Sequence, residues 1–262
     1  MGRKMQTVTD NVSAVILAGG MGTRMKSTKA KVLHEIIGRP MLTYVVETAR
    51  KVVGNNVVLV IGNQADKVKR IVSEETDVIF AIQENQYGTG HAVLCAQLNI
   101  PEHTDQVVIL CGDVPLITSN TIIQLISDHI NAMRDISILA VEVDKPKGYG
   151  RILLDENRNV VGIVEETDAT EDQKTIRLIN TGIYCVKKDC LFDSLKKIKS
   201  DNVQGELYLT DIIGIGYREG KNVGVLVSKD VEEIIGVNNC EDLKKVEIIM
   251  HKKLCKAQGK TT

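Results

Sequence analysis

Short apolar runs alternate along this chain with longer stretches in which apolar residues recur every three or four positions. Val15, Ile16 and Leu17 open the series, and Val57–Ile61, Asp77–Ile82 and Gln106–Leu110 continue it. Compact apolar runs of this kind predict strands buried on both faces. Helical patterns lie between them. MLTYVVETARKVV follows Pro40 and is stopped by Gly54 and Asn55; a second helix covers Gln64–Glu74. A third starts around Gly88, Thr89 and Gly90 and runs to about Leu98, and a fourth, capped by Thr118 or Ser119, runs to about Met133. Strand and helix in alternation predict an α/β fold: a three-layer, Rossmann-like, mostly parallel sheet with right-handed crossovers. Ligands of such sheets sit beyond the carboxyl ends of the strands.

After a strand at Ile136–Val143 the rhythm changes. Arg151–Leu154 and Val160–Val164 flank the polar Asp155–Asn159 and read as a hairpin. A strand at Arg177–Val186, helices at Asp189–Ile198 and Leu207–Tyr217, and a strand at Val223–Val227 follow. Glu241–Cys255 is amphipathic, with Leu243, Val246, Ile249 and Met250 on one face. The expected organisation is a flexible leader over 1–12, one domain over 13–240, and a C-terminal helix and polar tail over 241–262.

The chemistry starts where the first strand ends. Ala18, Gly19, Gly20 and Gly22 form a loop nearly free of side chains, whose N–H groups can approach an anion. Arg24, Lys26, Lys29 and Lys31 follow. Clustered cations after such a loop point to a nucleoside triphosphate. Two familiar phosphate loops fail: both the dinucleotide fingerprint and the P-loop need glycine where Met25 stands. A second constellation, Cys111-Gly112-Asp113, directly follows an apolar strand, placing Asp113 on the same sheet edge. A carboxylate beside a triphosphate site suits Mg²⁺, which takes one or two carboxylates together with phosphate oxygens.

Composition narrows the field. A formal net charge of −1 leaves no broad basic face for nucleic acid, and the absence of Trp with only two Phe argues against base-stacking platforms. The polar start of the chain lacks a secretory apolar core, and no run is long enough to span a membrane. Six cysteines occur without a C-x-x-C pair, several inside apolar runs, as buried thiols in a reducing compartment would. A cytoplasmic location is expected.

LAGGMGTRM with Lys31 resembles the signature of sugar-phosphate nucleotidylyltransferases. With QYGTGHA, CGDVPL, GYGRI, GIVEE, INTGI, GELYLTDII and GVNN in order, the chain from about Val15 to Asn239 is similar to the pyrophosphorylase domain of the bacterial N-acetylglucosamine-1-phosphate uridylyltransferases. The resemblance implies the nucleotide-diphospho-sugar transferase fold. It implies transfer of a uridylyl group from UTP to N-acetylglucosamine-1-phosphate, giving UDP-N-acetylglucosamine, a peptidoglycan precursor, and pyrophosphate. It implies that Leu17, Ala18 and Gly20 face the uridine, that Gln83 and Gly88 contact the base, and that Thr89 helps position the nucleotide. Arg24 and Lys31 become catalytic ligands of the triphosphate, and Asp113 and Asn238 hold Mg²⁺. Gly150, Glu165, Asn180 and Thr210 bind the sugar phosphate.

The implied chemistry is in-line attack by a sugar-phosphate oxygen on the α-phosphorus. The attacking group is already an anion, so no protein base is needed, and His34 and His91 read as structural. The protein's task is to align and neutralise two mutually repelling anions. Two departures from the pattern stand out. Ala30 replaces a proline usual before the lysine, which leaves the loop around Lys31 freer. No hexapeptide repeats follow Asn239, so neither acetyltransferase activity nor the trimer built by a β-helix is expected. The alternatives are a transferase for another sugar or alcohol phosphate, and a non-catalytic nucleotide-sugar-binding module.

Overall fold

The computed structural model describes residues 9–257; the start of the expected leader and the end of the tail lie outside them. At the end of the expected leader, Asn11 lies in a turn and Val12 belongs to the sheet. The Asn11 carbonyl accepts from Asp105 N at 2.9 Å, and Val12 opens strand β1 (Val12–Leu17).

In chain order a small ribbon of β2 (Glu35–Ile36) and β3 (Arg39–Pro40) precedes helix α1 (Met41–Val53). Then come β4 (Val57–Ile61), α2 (Ala65–Glu75), β5 (Ile79–Ile82), α3 (Thr89–Ala96), β6 (Gln106–Cys111), α4 (Ser119–Asn131) and β7 (Ile136–Glu142). The second half carries β8 (Arg151–Leu154), β9 (Val160–Val164), α5 (Glu171–Lys174), β10 (Leu178–Lys187), α6 (Lys188–Leu195), α7 (Asp211–Arg218), β11 (Val223–Ser228) and α8 (Cys240–Ala257). Local signals set several boundaries as expected. Gly54 closes α1 with φ 63°, and the Thr118 hydroxyl, rather than Ser119, caps α4 by accepting from Thr121 N at 3.3 Å. Asp155 takes the N–H groups of Asn157 and Asn159 and so builds the β8–β9 turn.

Hydrogen-bonded strands run in the order β11-β7-β10-β6-β1-β4-β5, with the β8–β9 hairpin attached to β10. The pairings β5·β4, β4·β1, β1·β6 and β7·β11 are parallel; β10 runs antiparallel between β6 and β7. Alternate residues of β1 serve opposite faces. Val12, Ala14 and Ile16 pack with α1, α2 and α4, whereas Val15 joins a core with α3, α6 and α7. Helices thus cover both faces of one sheet, the three-layer arrangement that the alternation predicts. Because chain order reverses at β1, between β4 and β6, a crevice opens beyond its carboxyl end.

One helix begins later than its pattern predicts. Leu207–Tyr217 is periodic, yet α7 starts only at Asp211. Leu207 N donates to the Tyr87 carbonyl at 2.7 Å, the Leu207 carbonyl accepts from Gly90 N at 2.8 Å, and Leu209 N donates to Thr89 Oγ1 at 3.0 Å. Those long-range bonds engage groups that a longer helix would use internally.

The core also holds His129, 1% exposed, with Nδ1 2.8 Å from Ser137 Oγ and Nε2 2.9 Å from Gln106 Oε1. Burial, then the Lys187 and Arg134 charges, push its pKa from the ordinary 6.5 down to about 4. Between those values the unfolded chain binds the extra proton. The contribution is therefore fully present above pH 6.5 and is lost as pH falls toward 4, amounting to about 2 kcal/mol at pH 5. Denaturant titrations at pH 7 and pH 5 should show that loss shrinking by about this amount in His129→Gln. An identical pH slope in the variant would assign the acid sensitivity to other groups.

Candidate active site

The glycine loop leaves β1 at the chain reversal and Asp113 follows β6, the adjacent strand. Leu17 pairs with Cys111, and Gly112 N donates to the Leu17 carbonyl at 2.9 Å, so the two motifs lie side by side. A 3₁₀ turn, Thr23–Met25, succeeds the glycines, and a second, Lys31–Leu33, carries the lysine. Gly22, at φ 62°, lies against that lysine; a Cβ there would stand 2.5 Å from Lys31 Cβ. The loop and Lys31 are therefore packed as one unit. Ala30 is buried and holds φ −53°, ψ 136°, dihedrals that proline also adopts. The missing ring leaves its mark on the unfolded ensemble, and the folded backbone at Ala30 keeps the geometry.

Arg24, Lys31, Asp113 and Asn238 converge. The Lys31 ammonium donates to Asp113 Oδ2 and, at 3.0 Å, to Asn238 Oδ1; Arg24 Nη2 also donates to Asn238 Oδ1 at 3.0 Å. Asn238 arrives from the far end of the sequence. Val237 N donates to the Asp113 carbonyl at 2.8 Å, and Asn238 N donates to Asp242 Oδ2 at 2.9 Å. Asn239 Oδ1 accepts from the N–H groups of Glu241 and Asp242 at the start of α8. That helix packs Val246, Ile249 and Met250 onto a core with Met25, Ile36, Met41 and Val237, directly behind the loop. The C-terminal helix thus braces the site.

Leu17 is the last residue of β1, and Ala18, buried, and Gly20, exposed, follow it at the carboxyl end of the strand. Gln83, 4% exposed, follows β5 and donates through Nε2 to the Gly88 carbonyl at 3.0 Å. The same nitrogen lies 3.2 Å from His91 Nδ1, which fixes the side-chain amide and gives this histidine a positioning contact. Gly88 has φ 111°, and a Cβ there would stand 2.6 Å from the Leu207 carbonyl, so its conformation holds the α3 entrance against the 207–209 segment. Thr89 is exposed and its hydroxyl accepts from Leu209 N. His34, the other histidine of the region, has a buried, unpaired Nε2; burial and then Lys29 push its pKa below the ordinary value.

Gly150, Glu165, Asn180 and Thr210 form a third group on the same edge. Asn180 N donates to the Gly150 carbonyl at 2.8 Å, and Thr210 Oγ1 donates to Glu165 Oε1 at 3.1 Å. The β10 register shifts between Asn180 and Tyr184, a bulge that places Asn180 where its Nδ2 donates to the buried Tyr184 hydroxyl at 2.7 Å. Burial raises the Glu165 carboxyl above its usual range and raises the Tyr184 phenol well above its own. The structure therefore brings all fourteen sequence-derived candidates to one sheet edge in three adjoining groups. Sequence reading missed Tyr184 and Asp242, which orient Asn180 and Asn238. Asp242, four residues beyond Asn238 at a helix start, carried a legible capping signal; Tyr184 carried none.

The donor set tests whether a cation fits. Among the described residues no cluster of three or more His, Cys, Asp or Glu side chains forms a cage. Instead a carboxylate oxygen and an amide oxygen converge on one ammonium, Lys31 Nζ. Two hard oxygens with the remaining positions left to water or phosphate suit a divalent cation of the Mg²⁺ kind.

A glycine loop, clustered cations and a paired-oxygen site at the reversal point of a mostly parallel sheet define an α/β nucleotide-binding protein. The chain belongs to the nucleotidyl transferase family, whose model matches residues 13–237. It is 43% identical over 245 residues to the bifunctional protein GlmU of Syntrophotalea carbinolica, covering 94% of this chain and 52% of that one. It is 38% identical over 247 residues to the bifunctional protein GlmU of Bacillus licheniformis, covering 94% and 54%. The chain spans about half the length of the curated relatives it matches. A crystal structure described as a glucose-1-phosphate thymidylyltransferase from Bacillus anthracis, in complex with sucrose, superposes with a TM-score of 0.71. At 20% identity, over 91% of this chain and 94% of that one, it bears on the fold alone. Among the described residues no helix is long and apolar enough to cross a membrane.

Proposed function

We propose that this chain transfers the uridylyl group of UTP to N-acetylglucosamine-1-phosphate, releasing pyrophosphate and forming UDP-N-acetylglucosamine. The observation that carries the reading is the convergence of Arg24, Lys31, Asp113 and Asn238 beside the glycine loop, with the Gly150–Glu165–Asn180–Thr210 group on the same edge. A binding module would not need cation ligands and leaving-group cations gathered in this way.

In this reading the backbone of Leu17, Ala18, Gly20 and Gly88 encloses the uridine. Gln83 reads the base edge, its amide held by Gly88 and His91, and Thr89 helps position the nucleotide. Glu165, Asn180, Thr210 and Gly150 hold the amino sugar so that its phosphate faces the α-phosphorus. Lys31 and Arg24 neutralise the triphosphate, and Arg24 offsets the charge that grows on departing pyrophosphate. Asp113 and Asn238 would hold Mg²⁺, which supplies charge neutralisation across the phosphates. Attack by an existing oxyanion needs no proton transfer, so catalysis is alignment plus electrostatic stabilisation. Six free cysteines, two of them buried, accord with a reducing, cytoplasmic setting, where the product would serve cell-wall synthesis.

The test is pyrophosphate release with Mg²⁺, crossing UTP, CTP, dTTP and ATP against N-acetylglucosamine-1-phosphate, glucose-1-phosphate and other sugar phosphates. Strong release confined to UTP with N-acetylglucosamine-1-phosphate is expected. Release with another pair would move the substrate. No release from folded, nucleotide-binding protein would overturn the enzymatic reading.

A further inference from the structure

Arg151 is 1% exposed, the first residue of β8 and among the largest fully buried side chains of the protein. Its Nη2 donates to Glu166 Oε2 at 2.7 Å and reaches the Lys174 carbonyl at 3.4 Å; Nη1 donates to the Tyr149 carbonyl; Nε has no partner. Glu166 Oε2 also accepts from Gly148 N at 3.0 Å. One buried guanidinium and one carboxylate thus tie three segments together: the loop before β8, the turn after β9, and α5.

That arrangement is not explained by stability. A buried, incompletely satisfied guanidinium is costly to desolvate, and an apolar side chain of similar size often serves a core as well or better. What the pair does control is register. The Arg151 backbone pairs with Val164 on one side and Ile179 on the other. The next residues along those three segments are Gly150, Glu165 and Asn180, three of the residues assigned to the sugar phosphate. Gly150 and Glu165 lie just past the end of the β8·β9 ladder, whereas Asn180 stays paired with Ala140 of β7 and donates its N–H to the Gly150 carbonyl. A Cβ on Gly150 would stand 3.3 Å from Glu165 Oε2 and 3.5 Å from Asn180 Cβ, so the row is closely packed. The Arg151–Glu166 contact spans the two segments that carry Gly150 and Glu165, directly beside them.

We infer that Arg151 and Glu166 are positioning residues for the acceptor half of the site, holding Gly150 and Glu165 in the spacing that the sugar phosphate requires. The pair acts through its neighbours and leaves the nucleotide half, across β6 and β1, untouched. The inference rests on the functional reading above for the identity of the acceptor, but not for the mechanics of the loop.

The experiment uses Glu166→Gln, Glu166→Ala and Arg151→Lys, with steady-state kinetics against both substrates, thermal unfolding, and hydrogen exchange over residues 144–150 and 165–174. The acceptor is whichever sugar phosphate the wild type couples to pyrophosphate release. Glu166→Ala should lower kcat/KM for that acceptor by about 10- to 100-fold while the nucleotide KM stays within about 2-fold. Glu166→Gln, which keeps the Gly148 and Arg151 hydrogen bonds, should recover part of the loss. Exchange over both segments should rise in Glu166→Ala without change around Gln83–Gly90. Arg151→Lys separates role from folding: if it unfolds, the variants at the half-buried Glu166 still decide. Equal rises in both KM values, or no shift in either, would overturn the inference. Failure of the wild type on every substrate pair would overturn the functional reading instead, and the exchange pattern would then judge the clamp: unchanged exchange in Glu166→Ala rejects it.

Discussion

Replacing Asp113 by Ala should lower turnover by about 10³-fold while the protein stays folded and binds nucleotide. The fold should survive because the contact of residue 113 with the C-terminal segment is made by its backbone: the Asp113 carbonyl accepts from Val237 N at 2.8 Å. The side chain, 24% exposed, serves the site and not the core. Its oxygen is one of two that converge on the Lys31 ammonium, so its loss halves the candidate cation site and leaves the lysine with the Asn238 amide oxygen. Asp113→Asn keeps an oxygen without the charge, and raising Mg²⁺ or Mn²⁺ should therefore restore part of its rate but none of the Ala variant's. Pyrophosphate release across a metal titration, with unfolding curves on the same samples, makes the measurement. Wild-type turnover in Asp113→Ala would remove the metal assignment.

Lys31→Ala should cost about 10²-fold or more in kcat with less than about 10-fold change in nucleotide affinity. In the structure the ammonium lies between the Asp113 and Asn238 oxygens, the candidate metal ligands, and the stem of Lys31 packs against Gly22. In the proposed reading Asp113 and Asn238 would give those oxygens to Mg²⁺, and Lys31 would then be free to face the phosphates, where charge grows during the reaction. Its contribution then belongs mainly to the transition state. Lys31→Arg should rescue poorly, since a planar fork replaces a compact charge in a space bounded by the glycine loop. The readout is kcat set beside a directly measured nucleotide Kd. A loss in affinity with kcat preserved would assign Lys31 to uniform binding alone.

Much of the architecture was legible because its signals are local. Apolar runs marked the parallel strands, Pro40 and Gly54 bounded α1, and Thr118 capped α4. The glycine loop and Asp113 were legible as partners because each follows an apolar strand and such ligands collect at one sheet edge. The late start of α7 was not legible: the periodicity over Leu207–Tyr217 is helical, and only Tyr87, Thr89 and Gly90, distant in sequence, hold its first residues extended. Nor was the placement of β10 between β6 and β7, whose reversed direction delivers Asn180 to the edge where the parallel strands end. The burial of Arg151, the first residue of the strand Arg151–Leu154, against the half-buried Glu166 was not legible either.

By itself the sequence determined the alternation of strands and helices, the glycine loop with its cations, and the motif set that places the chain near one family of transferases. Periodicity, turn chemistry and short motifs are properties of neighbouring residues, and they survive in a one-dimensional reading. The tertiary structure alone decided which distant residues meet: Asn238 with Arg24 and Lys31, Thr89 with Leu209, and Asn180 with Tyr184. Those meetings depend on strand order, on one antiparallel strand and on a C-terminal helix docked behind the loop, and each is set by packing over the whole sheet.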